Sequence, residues 1–280
     1  MKIKITSDST CDLPKELVEK HNIELFPLTV IKDGENFLDN VTITPADIFA
    51  HVAAGGDLCS TTAGNVGEYA DLFAKYASEY DAIVHINLGS GFSSSYQNAT
   101  LAAMDFENVV TIDSQNLSTG QGHIVMKAVE LSQNATDLQE LKAQIEAYVP
   151  KVEASFVLDQ LKYMAKGGRC SAATALGANL LNLKPCIEVK DGKMTVGKKY
   201  RGKYDKCLAT YAKERLEGRD DIDNNLIFIT QTVVSEEAHA SVSSAVKEFG
   251  HFNQICDATA GCTISCHCGP GTLGILFVRK

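Results

Sequence analysis

Asp81-Ala82-Ile83-Val84-His85-Ile86-Asn87-Leu88 is a nearly unbroken apolar run of strand length. A run of that kind, without the alternation of a half-solvated strand, belongs to a parallel sheet covered on both faces. The loop Gly89-Ser90-Gly91-Phe92-Ser93-Ser94-Ser95 then leads into a helix over about residues 95–104. The same order recurs on either side. Residues 2–6 read as a strand and pass through Ser7-Asp8-Ser9-Thr10 into a helix ending near Lys20, with Asp12 as its N-cap and Pro14 in its first turn. Residues 109–112 read as a strand, followed by Asp113-Ser114-Gln115-Asn116, a helix over about 119–132 and another over about 138–148. Upstream, Val66, Tyr69, Ala70, Phe73, Ala74 and Ala77 recur at three- and four-residue spacing, the buried face of one helix. Repeated strand–loop–helix units predict an α/β domain in three layers, a parallel sheet between helices.

The remaining signals are of another kind. Asp33-Gly34, flanked by residues 25–31 and 35–38, and Asp191-Gly192 further on read as hairpin turns. Residues 45–53 read as a helix ended by Gly55-Gly56. In the second half a helix over about 155–165 stops at Gly167-Gly168. A segment at 174–181, the second hairpin, helices over about 205–216 and 236–249, and strands near 226–230, 254–258 and 273–278 follow. Hairpins mixed with helices predict a smaller α+β domain. The expected division is a parallel α/β domain over residues 1–155 and an α+β domain over 156–280.

The chain has 280 residues, 45% hydrophobic, with a net charge of −9. That length suffices for two cores, and uniform acidity argues against nucleic acid as a partner. Met1-Lys2-Ile3-Lys4-Ile5-Thr6 has no apolar leader core, and no apolar run approaches the roughly 20 residues that span a bilayer. Nine cysteines without a leader read as reduced thiols, so a cytoplasmic protein without membrane insertion is expected. One stretch departs from the acidic average. Lys184, Lys190, Lys193, Lys198, Lys199, Arg201, Lys203 and Lys206 face only Glu188, Asp191 and Asp205, and Lys162, Lys166 and Arg169 precede them. This is a solvated hairpin face or a docking surface for an acidic partner.

Open α/β sheets place ligands in the loops after their strands. Here those loops are Ser7-Asp8-Ser9-Thr10, Gly89 to Ser95 and Asp113 to Asn116, joined by Ser60-Thr61-Thr62 before the Val66 helix. Each can be read as turn and capping residues alone. Together they offer clustered hydroxyl and N–H donors without a nearby lysine, which suits a singly charged carboxylate better than a triphosphate. Gly91-Phe92-Ser93-Ser94-Ser95 also half-matches a nucleophile elbow, which wants glycine where Ser95 stands; Asp113 and His267 could complete a triad around Ser93. A serine acyl hydrolase is therefore the second reading. No phosphate-cradling GxxxxGK[ST] or full GxGxxG opens a helix, so no nucleotide cofactor is expected. Cys262, Cys266, His267 and Cys268 lack paired C-x-x-C spacing, and no metal is expected there.

These segments, in this order, resemble the DegV family nearly end to end. Ser7 to Pro14 is similar to the family's SDSTADLP, and Phe92 to Ala99 to its LSGTYQSA. Ile112-Asp113-Ser114, Leu161 to Arg169 (LKYMAKGGR) and His267 to Gly274 (HCGPGTLG) continue the match. The resemblance implies a non-catalytic carrier with a long-chain fatty acid in a tunnel between two domains. It implies that the carboxylate is held by Ser93, with Ser94 beside it, and by one hydroxyl of Ser60-Thr61-Thr62, Thr61 first among them and Thr62 at the family's serine. It further implies that Arg169, Arg201 and His267 serve headgroup access or docking of an ATP-dependent fatty-acid kinase subunit that makes the acyl phosphate. Ser94-Ser95 in place of Gly-Thr, and Ala63-Gly64-Asn65 in place of Gln-Pro-Ser, depart from the family pattern beside that site.

Overall fold

The computed structural model describes residues 1–172 and 183–280, so the segment expected at 174–181 lies outside the described residues. The first half runs β1 (Ile3–Asp8), α1 (Lys15–Lys20), β2 (Glu24–Phe26), β3 (Thr29–Lys32), β4 (Glu35–Leu38), α2 (Pro45–Ala53) and β5 (Ser60–Thr62). It continues through α3 (Val66–Ala77), β6 (Ala82–Asn87), α4 (Ser95–Ala103), β7 (Val109–Asp113), α5 (Ser118–Ser132) and α6 (Leu138–Tyr148). β2, β1, β6 and β7 form one sheet in that order, parallel throughout. Every residue of β6 is buried, as its unbroken apolar run requires. Strand alternation turns Ile83 toward α3 and α4, where it meets Tyr69, Phe73, Ala99 and Ala102. Val84 and Ile86 turn the other way, toward Ile124 on α5 and Leu141 on α6.

The second half adds β8 (Val152–Leu158), α7 (Lys162–Gly167), β9 (Leu183–Lys190), β10 (Lys193–Arg201) and α8 (Tyr204–Leu216). β11 (Ile222–Gln231), α9 (Glu236–Phe249), β12 (Gln254–Thr259), α10 (Cys262–Cys268) and β13 (Thr272–Arg279) complete it. Its sheet has the order β10-β9-β8-β13-β11-β12, antiparallel except for the β11–β12 pair. Leu208 and Tyr211 on α8 and Val242 and Val246 on α9 cover one face. The other face turns to α5, where Ala154, Phe228 and Leu276 join Ile124 and Val125 in one core. Helix α5 is thus shared by both sheets and is buried along its whole first half. Close approach there demands glycine: a Cβ on Gly122 would meet the Cys11 carbonyl at 2.9 Å.

Several expectations need correction. The helix expected over 155–165 is the strand β8, and only 162–167 is helical. An apolar run as short as Phe156-Val157-Leu158 has no period that separates a buried strand from a buried helix. Residue 155 lies inside β8, and the change of sheet comes before Val152. Residues 25–31 divide between β2 in the parallel sheet and β3 in a small sheet of order β4-β3-β5. Asp12 does not cap α1; Pro14 stands at that position. Asp12 is instead left-handed at φ 49° and buried. Its carboxyl accepts from Ser118 Oγ at 2.5 Å and the Gly261 N–H at 2.9 Å, and burial pushes its pKa well above the usual range. The turns at Asp33-Gly34 and Asp191-Gly192 are two-residue hairpins with positive φ at both positions. Among the described residues no helix is long and apolar enough to cross a membrane.

Candidate functional site

Four segments from distant parts of the chain meet at one cavity of about 50 Å³, lined by Thr61, Thr62, Phe92, Ser93, Arg169 and His267 with Leu28, Leu88, Leu117, Met194 and Ile264 among the apolar walls. Short strand β5 supplies Thr61 and Thr62 by pairing with β3, Thr61 opposite Val30 and Thr62 opposite Thr29. The loop between β6 and α4 supplies Ser93. Its glycines are sterically required. A Cβ on Gly89 would meet the Asn116 backbone nitrogen at 2.9 Å, and one on Gly91 would meet the Gly192 carbonyl at 2.1 Å. The tip of the β9–β10 hairpin therefore lies against this loop and brings Met194 to the cavity.

The Lys166-Gly167-Gly168-Arg169 turn ends α7. Gly168 takes φ 69° as its left-handed cap, and the Arg169 guanidinium donates to the Gly167 carbonyl at 2.7 Å. A Cβ on Gly167 would stand 2.4 Å from His267 Nδ1. The first glycine thus makes room for the imidazole, and the second turns the chain toward Arg169.

His267 projects from α10, and its Nε2 lies 2.8 Å from Thr61 Oγ1. Burial, reinforced by the Arg169 charge, lowers its pKa to about 4. The ring is therefore neutral near pH 7. Its Nδ1 is buried and has no hydrogen-bond partner among the described residues. An orphaned nitrogen costs least as a lone pair, which puts the single proton on Nε2. Nε2–H then donates to Thr61 Oγ1, and the Thr61 proton is left to point into the cavity. Ser93 Oγ accepts from the Ser95 N–H at 3.1 Å and lies 2.9 Å from the Ser95 hydroxyl. Two hydroxyl donors and a guanidinium can hold one anionic oxygen pair here without a fully buried ion pair.

Of the residues singled out in the sequence, Thr61, Thr62, Ser93, Arg169 and His267 line this cavity, whereas Ser94 and Arg201 do not. Ser94 is exposed at the N-terminus of α4, and buried Ser95 is the residue that bonds Ser93. Arg201 is exposed at the end of β10 with Lys199. Several lysines of the basic stretch are paired, Lys184 with Asp159, Lys190 with Glu188 and Lys198 with Glu214. The triad of Ser93, His267 and Asp113 does not assemble. His267 engages Thr61, and Asp113 accepts from the Ser90 N–H at 2.9 Å and hydroxyl at 2.5 Å. The residues around His267 diverge as well. Cys262 and Cys266 pack beside Val30 and Ile48, and Cys268 joins the cluster around Phe156 and Leu158. Among the described residues no three His, Cys, Asp or Glu side chains are grouped to hold a metal.

A second, apolar cavity of about 20 Å³ shares Leu117 and Ile264 with the first and extends past Phe156, Ala260 and Leu276, between the second sheet and the helices α5 and α10. The two spaces together hold only a few water molecules, so no continuous interdomain tunnel is open among the described residues. A larger cavity, about 490 Å³, lies elsewhere, where Arg215, Arg219 and Arg279 converge on Glu153. Of the residues named from the sequence, Gln115 and Asn116 of one candidate ligand loop and Lys190 of the basic stretch line it, whereas Ser93, Thr61, Arg169, Arg201 and His267 do not.

The model of a family of uncharacterised proteins, DegV, matches residues 2–280. The chain belongs to the DegV family. A DegV domain-containing protein of Clostridium acetobutylicum is 30% identical over 291 residues, covering all of this chain and 99% of the relative. Among solved structures, a fatty-acid-binding DegV family protein from Thermus thermophilus is similar over the whole of both chains, with a TM-score of 0.88 at 28% identity. DegV of Bacillus subtilis, a fatty-acid-binding protein, gives 0.82 at 26% identity, again over both whole chains. A stearic-acid-binding protein from Eubacterium ventriosum gives 0.85 at 25% identity, over 99% of this chain and 98% of that one. The DegV fold thus accounts for both sheets and their arrangement.

Proposed function

We propose that this chain is a non-catalytic carrier that binds one long-chain fatty acid, its carboxylate between Ser93 and Thr61 and its tail between the two sheets. The observation that carries this reading is the convergence of Thr61, Ser93, His267 and Arg169 on one cavity that abuts an apolar one. The binding of fatty acids by the Thermus, Bacillus and Eubacterium relatives supports it. A buried CH₂ contributes roughly 0.8 kcal/mol, so a chain of about 16 carbons gains on the order of 10 kcal/mol before ordering costs. A buried carboxylate without partners would cancel much of that gain. Thr61, fixed as a donor by His267, and Ser93 supply the partners. Leu117 and Ile264, which separate the two small cavities, must move aside to admit the tail. The ligand itself is the only cofactor-like group this function needs.

The carrier presents the carboxylate to a separate ATP-dependent kinase subunit, which forms the acyl phosphate; Arg169 stands at the cavity and exposed Arg201 and Lys199 offer cationic docking. In this reading the protein hands its ligand on rather than turning it over, with Ser93 bonded to Ser95 and His267 to Thr61. Native mass spectrometry of the protein from its expression host should show one added mass in the range of a long-chain acid. Arg201→Glu with Lys199→Glu should keep that mass and lose ATP-dependent acyl-phosphate formation with the kinase subunit of the same organism. A protein that never carries or takes up such a mass overturns the carrier reading. Unchanged acyl-phosphate formation in the double variant overturns the docking surface.

A further inference from the structure

Buried polar groups near the headgroup cavity are mostly bonded to one another. The Asp8 carboxylate, at the end of β1, accepts from the Tyr69 hydroxyl at 2.7 Å, the Leu88 N–H at 2.8 Å and Asn87 Nδ2 at 3.2 Å, and His85 Nε2 lies 3.2 Å away. Two atoms on the cavity wall break that pattern. His267 Nδ1 and Thr263 Oγ1 are buried and have no hydrogen-bond partner among the described residues. The imidazole nitrogen packs against Gly167 as a lone pair. The threonine hydroxyl has no such outlet.

Thr263 lies on α10 and is only 4% exposed. A helical threonine usually donates to a carbonyl three or four residues back. Helix α10 begins at Cys262, so none of its own carbonyls stands there. The N–H groups that open the helix are taken by Asp39, which leaves the side chain as the free group. Thr263 and His267 are four residues apart and share one face of α10, where such neighbours stand about 5–6 Å from each other. His267 holds Thr61 at the headgroup end. Thr263 is on the same wall, next to Ile264, past which the tail must go. With the carboxylate between Thr61 and Ser93, Thr263 flanks the first carbons behind it. An unsubstituted acid offers only methylene groups there, and the buried hydroxyl stays unpaired.

We infer that Thr263 selects a fatty acid with a hydroxyl close behind its carboxyl group, at C2 or C3, and that this hydroxyl pairs with Thr263 Oγ1. The inference rests on the fatty-acid reading of the site. A threonine hydroxyl both donates and accepts, so it can pair with an alcohol in either sense. Because Thr263 projects from one wall, it reaches only one of two mirror-image alcohols. Two other uses of the hydroxyl give different readouts. A third donor to the carboxylate would serve every acid alike, and a bound water would leave the cavity indifferent to a hydroxyl on the chain.

Affinities of the intact, delipidated protein for hexadecanoate and for the separate enantiomers of 2- and 3-hydroxyhexadecanoate, measured by displacement of a fluorescent acyl probe, provide the test. One enantiomer should bind about three- to tenfold tighter than its mirror image and than hexadecanoate, the size of one hydrogen bond. Thr263→Val, nearly identical in shape, should erase that preference and leave hexadecanoate as tight or tighter. Thr263→Ser, which keeps the hydroxyl, should retain the preference, and Thr263→Ala gives the valine readout should Thr263→Val fail to fold. No preference between enantiomers in the parent, a preference that survives loss of the hydroxyl, or an equal weakening of every acid by Thr263→Val overturns the inference. If the parent protein binds none of these acids, the fatty-acid reading itself falls and this inference with it. If it binds all of them alike, only the role of Thr263 falls.

Discussion

Gly167 and Gly168 are adjacent and do unrelated work. Gly168 is needed for its backbone, at φ 69° beyond the end of α7. Gly167 is needed for its missing side chain, because a Cβ would stand 2.4 Å from His267 Nδ1. Gly167→Ala should therefore push the imidazole off Thr61 and weaken hexadecanoate binding about tenfold, with little change in stability. Gly168→Ala should instead cost about 1 kcal/mol of stability and leave affinity unchanged. Isothermal titration and urea unfolding of both variants check the pair, and an unaltered affinity in Gly167→Ala would contradict the first half. At this scale the sequence was partly legible. Ser93 and Thr61 stood out as hydroxyls in polar loops. Ser95 closes one of those loops and spoils a nucleophile elbow, but nothing local marks it as the partner of Ser93. His85 and Asn87, polar residues inside an apolar strand, were the available signal for a buried network, since such groups require partners. Asp8 and Tyr69, their partners, lie on other elements.

Helix α10 has seven residues, too few to be stable alone, yet it carries His267. Its N-terminus is held by a carboxylate far away in sequence. Asp39 accepts from the Cys262 N–H at 2.7 Å and the Thr263 N–H at 3.3 Å, and Ser9 Oγ donates to the same group at 2.9 Å. Asp12 accepts from the preceding Gly261 N–H. Asp39→Ala leaves those buried donors without an acceptor and should destabilise the protein by about 2–3 kcal/mol. Urea unfolding at constant slope measures this, and a loss below about 0.5 kcal/mol would show that the distant cap is dispensable. Helix α10 was not legible in the sequence because its cap is not local. Strand β5 leaves no local signal for a similar reason, since its three residues gain strand character only by pairing with β3. Elements with their own strong pattern, β6 and α3 above all, were read directly.

At the scale of the molecule, strand–loop–helix repetition made the parallel domain readable. The antiparallel order around β13 was not, because pairing between distant strands leaves no local period. Helix α5 binds the two sheets into one core, and the cavity forms where the two halves face each other. Thr61 and His267, 206 residues apart, meet there. That meeting is the center of the proposed function. Addition of hexadecanoate carrying a ¹³C carboxyl to the intact, delipidated protein, followed by NMR, reports the headgroup's surroundings directly. The expected result is a bound carboxyl resonance in the parent protein that is displaced from the free acid, and that is lost or reverts in Thr61→Val with Ser93→Ala. A double variant that binds with parental affinity and an unchanged resonance would contradict the placement of the carboxylate.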